Sequence, residues 1–363
     1  MKPFLTIVIP TWNRKPLVSV AIDSICSQIG DKSVEVYVSD HGSTDGTFEM
    51  LKEKHWPMLR LFVCGRIEQP DFSDNFQFSF GLAESEWTWT FGDDDFMIPG
   101  ALERVLPLLT KERSFLHVGE AARSRSTLEL REGSLIDLCN DLGFLDITGF
   151  ITGNIVRTEK LKEAVNSENW AEYAKTAFPQ SLSLLEACGN DNSAFFDCAV
   201  VEAQDRNLSG PLRQEDDRGQ RWARTNIGAR YSYIIPLVQK ALDKLNYKKP
   251  LKPSFWRYQS YYLWDRFIND TVNTYSHQIM ASPENDIEHH FLWDLFAGMA
   301  DYLDFDNRLK VRAELFKGRS VIDDHLKAIK ELNRMGAVLD EYVMSHSKEI
   351  FPFNYIGSIG DTG

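Results

Sequence analysis

Trp87-Thr88-Trp89-Thr90-Phe91-Gly92-Asp93-Asp94-Asp95-Phe96-Met97-Ile98-Pro99-Gly100 is the stretch on which the fold turns. Its first five residues alternate as a strand does, and three aspartates follow at that strand's carboxyl end, ahead of a helix opened by Pro99. Adjacent carboxylates repel one another, so such a cluster needs a cation or full hydration. Hard oxygen donors suit Mg2+ or Mn2+, with diphosphate oxygens completing the shell. A solvated acidic turn is the plainer reading of the same three residues.

Working outward, the N-terminal third alternates between strand and helix patterns. Residues 4–9, 34–39, 59–63, 87–91 and 115–118 read as strands, and 16–28, 45–54, 73–84 and 99–109 as helices. This alternation implies an α/β fold, a mostly parallel sheet with helices on both faces. Ligands of such sheets bind beyond the carboxyl ends of the strands. Three polar clusters follow three of the strands: Pro10-Thr11-Trp12-Asn13-Arg14, Asp40-His41-Gly42-Ser43-Thr44-Asp45-Gly46, and Gly92 with the aspartates. All three are expected on one edge of the sheet, around one cleft.

Beyond residue 118 the pattern loosens. Residues 147–155 read as a strand bent at Thr152-Gly153-Asn154, residues 170–187 as a helix, 197–201 as a last strand, and the charged stretch 213–230 as a loop or lid. From residue 234 only helical spacing recurs, over 236–245, 255–280, 287–303, 308–316 and 321–346, with a Pro-containing linker at 249–253. The expected organisation is an α/β domain over 1–230, divided into halves at 118, then an α-helical C-terminal extension over 231–350 and a disordered tail over 351–363.

Composition narrows the function. The chain has 363 residues, 43% of them hydrophobic, enough for a large core. A net charge of −13 argues against a nucleic-acid partner. Five cysteines without a C-x-x-C pair suggest reduced thiols and a cytoplasmic setting. The N-terminus lacks the apolar run of a signal peptide, and no stretch reaches the ~18 apolar residues of a membrane span.

Taken together, the three clusters resemble the donor half of family 2 glycosyltransferases of the GT-A (Rossmann-like) fold. Ile9-Pro10-Thr11-Trp12-Asn13-Arg14 is similar to the family's I-P-T-Y-N-R opening. Ser39-Asp40-His41-Gly42-Ser43-Thr44-Asp45-Gly46-Thr47 resembles its D-D-G-S-T-D-G-T segment, with His41 in place of the second Asp. Gly92-Asp93-Asp94-Asp95 resembles its D-x-D segment, with Gly92 where the first Asp of the commoner D-x-D-D form would stand. The resemblance implies that Pro10, Thr11, Asn13, Arg14, Asp40, Gly42, Ser43, Asn75 and Asp93 bind a nucleotide-diphosphate sugar. It implies that Asp94 and Asp95 hold Mn2+ or Mg2+, and that Asn154 and Gln180 face the acceptor. It further implies transfer with inversion at the anomeric carbon.

The family's acidic pair ahead of a helix is replaced here by Phe178-Pro179-Gln180. Glu172 and Asp191, with Glu168 behind them, are the candidate general bases. A looser similarity to the abequosyltransferase-type enzymes of bacterial O-antigen and surface-glycan assembly implies a glycan or polyprenyl-diphosphate-linked acceptor. With it comes peripheral association with the inner face of the cell membrane. The aromatic helical extension is a further candidate for membrane contact or for homo-oligomer contact. Two other readings stand beside this one. A sugar nucleotidyltransferase would carry a Gly-rich phosphate loop after the first strand, which this chain lacks. An inactive glycosyltransferase-like scaffold would bind partners through the helical extension.

Overall fold

The computed structural model describes residues 2–63, 72–121, 124, 127–174, 176, 178–203 and 234–256. The chain divides into two compact units, Met1–Ala174 with Pro179–Pro211, and Lys175–Phe178 with Leu212–Gly363.

In the first unit the strands are β1 (Leu5–Thr11), β2 (Val34–Asp40), β3 (Leu59–Val63), β4 (Trp87–Thr90), β5 (Asp95–Met97), β6 (Phe115–Glu120), β7 (Glu129–Ser134), β8 (Asn154–Arg157) and β9 (Asn192–Ala203). The helices are α1 (Lys15–Ile29), α2 (Thr47–Glu53), α3 (Phe72–Gly81), α4 (Ala101–Val105), α5 (Leu135–Leu142), α6 (Phe144–Thr148), α7 (Thr158–Val165), α8 (Trp170–Tyr173) and α9 (Pro179–Cys188).

One sheet joins the strands in the order β3-β2-β1-β4-β8-β6-β9-β5, with β7 also on β9. Its first half is parallel, as β1 pairs with β2 and β4, and β2 with β3. Beyond β4 the sheet is mixed, because β8 runs antiparallel to both β4 and β6, and β5 and β7 run antiparallel to β9. The expectation of a mostly parallel sheet therefore holds only for the N-terminal half. Since β6 and β9 pair in parallel, β1, β2, β4, β6 and β9 all point their carboxyl ends at one edge.

The core explains why these segments are strands. In β1, Leu5 to Ile9 are all fully buried, which suits a strand covered on both faces. Trp87 and Trp89 of β4 are also fully buried. Helix α1 covers one face with Val18, Ile22, Ile25 and Ile29, a stripe of helical period, and stops at Gly30 with φ +54°.

Several expected elements shift. Asp95 opens the short strand β5 instead of a loop, since its backbone finds a ladder partner in Ala203. Thr152 and Gly153 lie in a 3-10 turn, and only Asn154 onward is strand. The helix expected over 170–187 is broken between α8 and α9, where Pro179 starts a new helix. The expected strand 197–201 extends over all of β9.

In the second unit the described residues form α10 (Ile234–Lys244) and a 3-10 turn at Pro253–Trp256. Leu237, Val238, Ala241 and Leu242 of α10 are buried. The helix ends where Asn246 adopts φ +53° and Tyr247 donates to the Leu242 carbonyl, a left-handed cap. The stretch 249–252 carries no regular structure. The expected lid at 213–230, the remaining helices and the tail lie outside the described residues. No helix among the described residues is long and apolar enough to cross a membrane.

Candidate functional site

Strand β1 ends at Thr11, and Trp12-Asn13-Arg14 turns into α1. Asn13 takes φ +51°, a left-handed conformation that Asn tolerates better than most residues. That turn aims its polar atoms at the loop after β2. The Asn13 backbone N–H donates to Ser43 Oγ at 2.8 Å, and Thr44 N–H donates to Asn13 Oδ1 at 2.7 Å. Lys15 N–H donates to Asp45 Oδ2 at 3.1 Å. The first two polar loops are thus laced together.

Asp40 closes its own turn. Its Oδ2 accepts from Ser43 N–H at 3.1 Å, and its Oδ1 accepts from the Ser43 hydroxyl. Both oxygens are engaged within the loop, so the cap is Asp40's observed contact. Gly42 supplies the φ of +74° that the turn requires. Asn75, on the first turns of α3, lies beside the end of β2, where its Oδ1 accepts from Ser79 Oγ at 2.9 Å and from Ser39 Oγ at 3.5 Å. Pro10 pairs in register with Ser39 on β2.

The third loop meets the first directly. The Thr11 hydroxyl donates to Asp93 Oδ2 at 2.8 Å. Arg14 Nη1 donates to Asp94 Oδ2 at 2.8 Å and to Asp93 Oδ1 at 3.3 Å. The structure therefore brings Thr11, Arg14, Asp93 and Asp94 together, with Asn13 and Ser43 beside them.

The three aspartates differ sharply in environment. The Asp94 side chain is 46% exposed, that of Asp93 only 11%. Asp93 is pushed up to about 6, chiefly by burial, against the pull of Arg14 and with the push of Asp94. Asp95 is pushed up to about 8, chiefly by burial and then by the charge of Asp94. Asp95 accepts from the Thr152 hydroxyl, which itself accepts from Gly92 N–H at 2.8 Å.

This arrangement accounts for Gly92. A Cβ there would lie 2.6 Å from Asp95 Oδ2 and 3.0 Å from Thr152 Oγ1. The space that an Asp side chain would use is already filled by Asp95 and Thr152.

Two acceptor-side residues are engaged internally. Asn154 is buried, donates from Nδ2 to the Thr148 carbonyl at 2.9 Å, and meets His117 Nδ1 through Oδ1 at 3.1 Å. Gln180 is buried at the start of α9 and donates to the Gly149 carbonyl at 3.3 Å. Its Oε1 has no hydrogen-bond partner among the described residues.

The candidate bases are not brought to the aspartates. Asp191 precedes β9 at its amino end and pairs with Lys160 at 3.4 Å. That is the edge opposite the carboxyl ends of β1 and β4. Glu172 lies exposed on α8, and Glu168 is exposed just before it.

Two residues escape the sequence reading. Thr152 binds Asp95, and the polar Thr152-Gly153-Asn154 break in an apolar run was its only signal. Glu120 ends β6 at the carboxyl edge, where it and Met97 flank Val201 of β9. Its charge contributes to raising Asp95. Nothing local in the sequence marks it.

A metal ion would have to rely on few protein ligands. Among the described residues no group of three His, Cys, Asp or Glu side chains is arranged to hold one. One or two carboxylates with phosphate and water oxygens is nonetheless the usual Mg2+ arrangement. The half-exposed Asp94 and the buried Asp95, both beside Gly92, fit that arrangement.

Residues 6–164 match the family described as Glycosyl transferase family 2. Among curated proteins, abequosyltransferase RfbV of Salmonella typhimurium is 32% identical over 103 residues, 27% of this chain and 30% of the relative. The GalNAc(5)-diNAcBac-PP-undecaprenol beta-1,3-glucosyltransferase of Campylobacter jejuni is 30% identical over 106 residues, 29% of this chain and 34% of the relative. The match thus spans about a third of each curated relative. Among solved structures, S. aureus TarS 1-349 in complex with UDP superposes with a TM-score of 0.53 at 14% identity, over 93% of this chain and 92% of that one. The sheet is accordingly that of the GT-A fold.

Proposed function

Because residues 6–164 match glycosyl transferase family 2, we propose that this chain is a divalent-metal-dependent glycosyltransferase. It moves a sugar from a nucleotide-diphosphate donor to a glycan or lipid-linked saccharide acceptor in bacterial surface-polysaccharide assembly. The observation that carries the reading is the meeting of Thr11 and Arg14, from the loop after β1, with Asp93 and Asp94, from the loop after β4.

Each residue has a task in this reading. Asp94, with Asp95 beside it, holds Mg2+ or Mn2+, which when bound offsets the charge of the departing nucleoside diphosphate. Thr11 and Asp93 form the wall beneath the ribose. The Asn13–Ser43–Thr44 lacing and the Asp40 turn hold the shape of the nucleoside pocket, with Asn75 beside it. Glu120, at the same edge, takes the proton of the attacking acceptor hydroxyl in place of Asp191. Gln180 supports the acceptor side through the segment that starts at Gly149. The direction of transfer at the anomeric carbon, inverting, follows the family.

The name of the Campylobacter relative supports a lipid-linked saccharide acceptor, and that of RfbV supports sugar transfer. The reading places the work at the cytoplasmic side of a membrane, and no helix among the described residues is long and apolar enough to cross one.

Isothermal titration of UDP, GDP, CDP and dTDP, each with and without Mn2+, tests the proposal. One of the four is expected to bind, and to bind more tightly with Mn2+. Absence of metal-assisted binding to all four would leave a scaffold in place of an enzyme.

A further inference from the structure

Arg14 is seated on the very carboxylate that the proposed metal would need. Its Nη1 lies 2.8 Å from Asp94 Oδ2 and 3.3 Å from Asp93 Oδ1. Asp94 is also the most open of the three aspartates, so an arriving divalent cation meets a guanidinium already in place.

The pair is built to part. The Arg14 side chain is 37% exposed, so it can swing outward with little loss of packing. Asp93 keeps its Thr11 hydrogen bond when Arg14 leaves. A half-exposed ion pair of this kind is weak beside metal–carboxylate coordination. A released guanidinium does not stay idle: its planar fork matches phosphate oxygens as well as carboxylates.

We propose that Arg14 is the resident counter-cation of Asp93 and Asp94, exchanged for the divalent metal when a nucleoside diphosphate enters and then turned onto the diphosphate. The inference rests on the metal reading above and adds a positioning residue to it. Its thermodynamic consequence is cooperativity. Metal alone must evict Arg14 without offering it a new partner. Metal with diphosphate supplies one, so each ligand strengthens the other through Arg14.

The test is Mn2+ titration of the full chain, read by the electron-paramagnetic signal of the free ion. It is run alone and with the tightest binder among UDP, GDP, CDP and dTDP. Wild type is compared with Arg14→Gln, Arg14→Lys and Asp94→Asn, with thermal melts to confirm folding. Arg14→Gln should bind Mn2+ alone about twofold to fivefold more tightly than wild type, as loss of a half-exposed ion pair implies. Its nucleotide-induced gain in Mn2+ affinity should fall at least fivefold. Arg14→Lys keeps the charge without the fork, so its affinity for Mn2+ alone should stay near wild type. Unchanged or weaker Mn2+ binding in Arg14→Gln, or an unchanged nucleotide-induced gain, overturns the exchange while leaving the metal reading intact. Mn2+ binding that survives Asp94→Asn, or is absent from every variant even with nucleotide, overturns the metal reading and the exchange with it. A crystal grown with Mn2+ and nucleotide should show Arg14 Nη1 off Asp94, and a retained pair overturns the proposal.

Discussion

The Thr11 hydroxyl donates a 2.8 Å hydrogen bond to the buried carboxylate of Asp93, joining the ends of β1 and β4 across 82 positions of chain. Thr11→Val keeps the shape of the side chain and removes the donor. Asp93 then loses one of its few partners in a buried position, a loss worth roughly 1–3 kcal/mol. Urea denaturation should show that cost, and nucleotide affinity should fall with it. Thr11→Ser, which retains the hydroxyl, should recover most of both. Equal stability of the valine and serine variants would mean that the bond contributes nothing.

The aspartate cluster makes stability depend on pH in an uncommon direction. Asp93 and Asp95 are raised to about 6 and about 8 in the folded protein, mainly by burial, so the folded state holds protons that the unfolded chain releases near pH 4. Their contribution is fully present below pH 4 and is lost as pH rises through about 6 and then about 8. The melting temperature of the metal-free protein should decline between pH 5 and pH 8.5. Asp95→Asn keeps an acceptor for Thr152 and removes the titration, so its decline should be shallower. Parallel melting curves for the two proteins across that range would contradict the burial of a protonated Asp95.

Gly92 admits no side chain without displacing Asp95 or Thr152. Gly92→Ala should cost about 1–3 kcal/mol, the usual penalty of overpacking. Gly92→Asp, which restores the more common family pattern, should be worse, because it adds a fourth carboxylate to the cluster. Differential scanning calorimetry of the two variants decides the point. A Gly92→Asp protein as stable as wild type would show that the space is not filled as described.

Glu120 and Asp191 stand at opposite ends of neighbouring strands, so they should answer differently to removal of charge. Glu120→Gln should slow sugar transfer about 100-fold or more, as loss of a positioned base does, with nucleotide affinity unchanged. Asp191→Asn should lose only its partly buried pair with Lys160, within about 1 kcal/mol, and keep full transfer. Initial rates with radiolabelled donor measure both. The reverse pattern would return the base to Asp191.

Much of the site was legible in the chain because it depends on short-range order. Strands at 5–11, 34–40 and 87–90 follow from runs of buried β-branched and aromatic side chains, and each is followed by a polar loop. Parallel pairing then carries all three loops to one edge, a consequence of topology that the alternation of strand and helix already implies. Pairings beyond β4 were not legible. Whether β8 runs antiparallel to β4, and whether Asp95 joins a ladder with Ala203, depends on partners 66 to 70 and 108 positions away in the chain, and nothing near residues 95 or 154 encodes them.

The sequence by itself determined that three polar loops would converge beyond the carboxyl ends of parallel strands, since periodicity and local turn chemistry are properties of neighbouring residues. Only the tertiary structure decided how the three aspartates divide their roles. Asp93 is buried under Thr11, Asp94 stays open and holds Arg14, and Asp95 is sealed against Thr152. Burial and charge pairing are set by atoms that folding brings together from distant stretches, and three identical residues in a row carry no local mark of which will lie beneath the others.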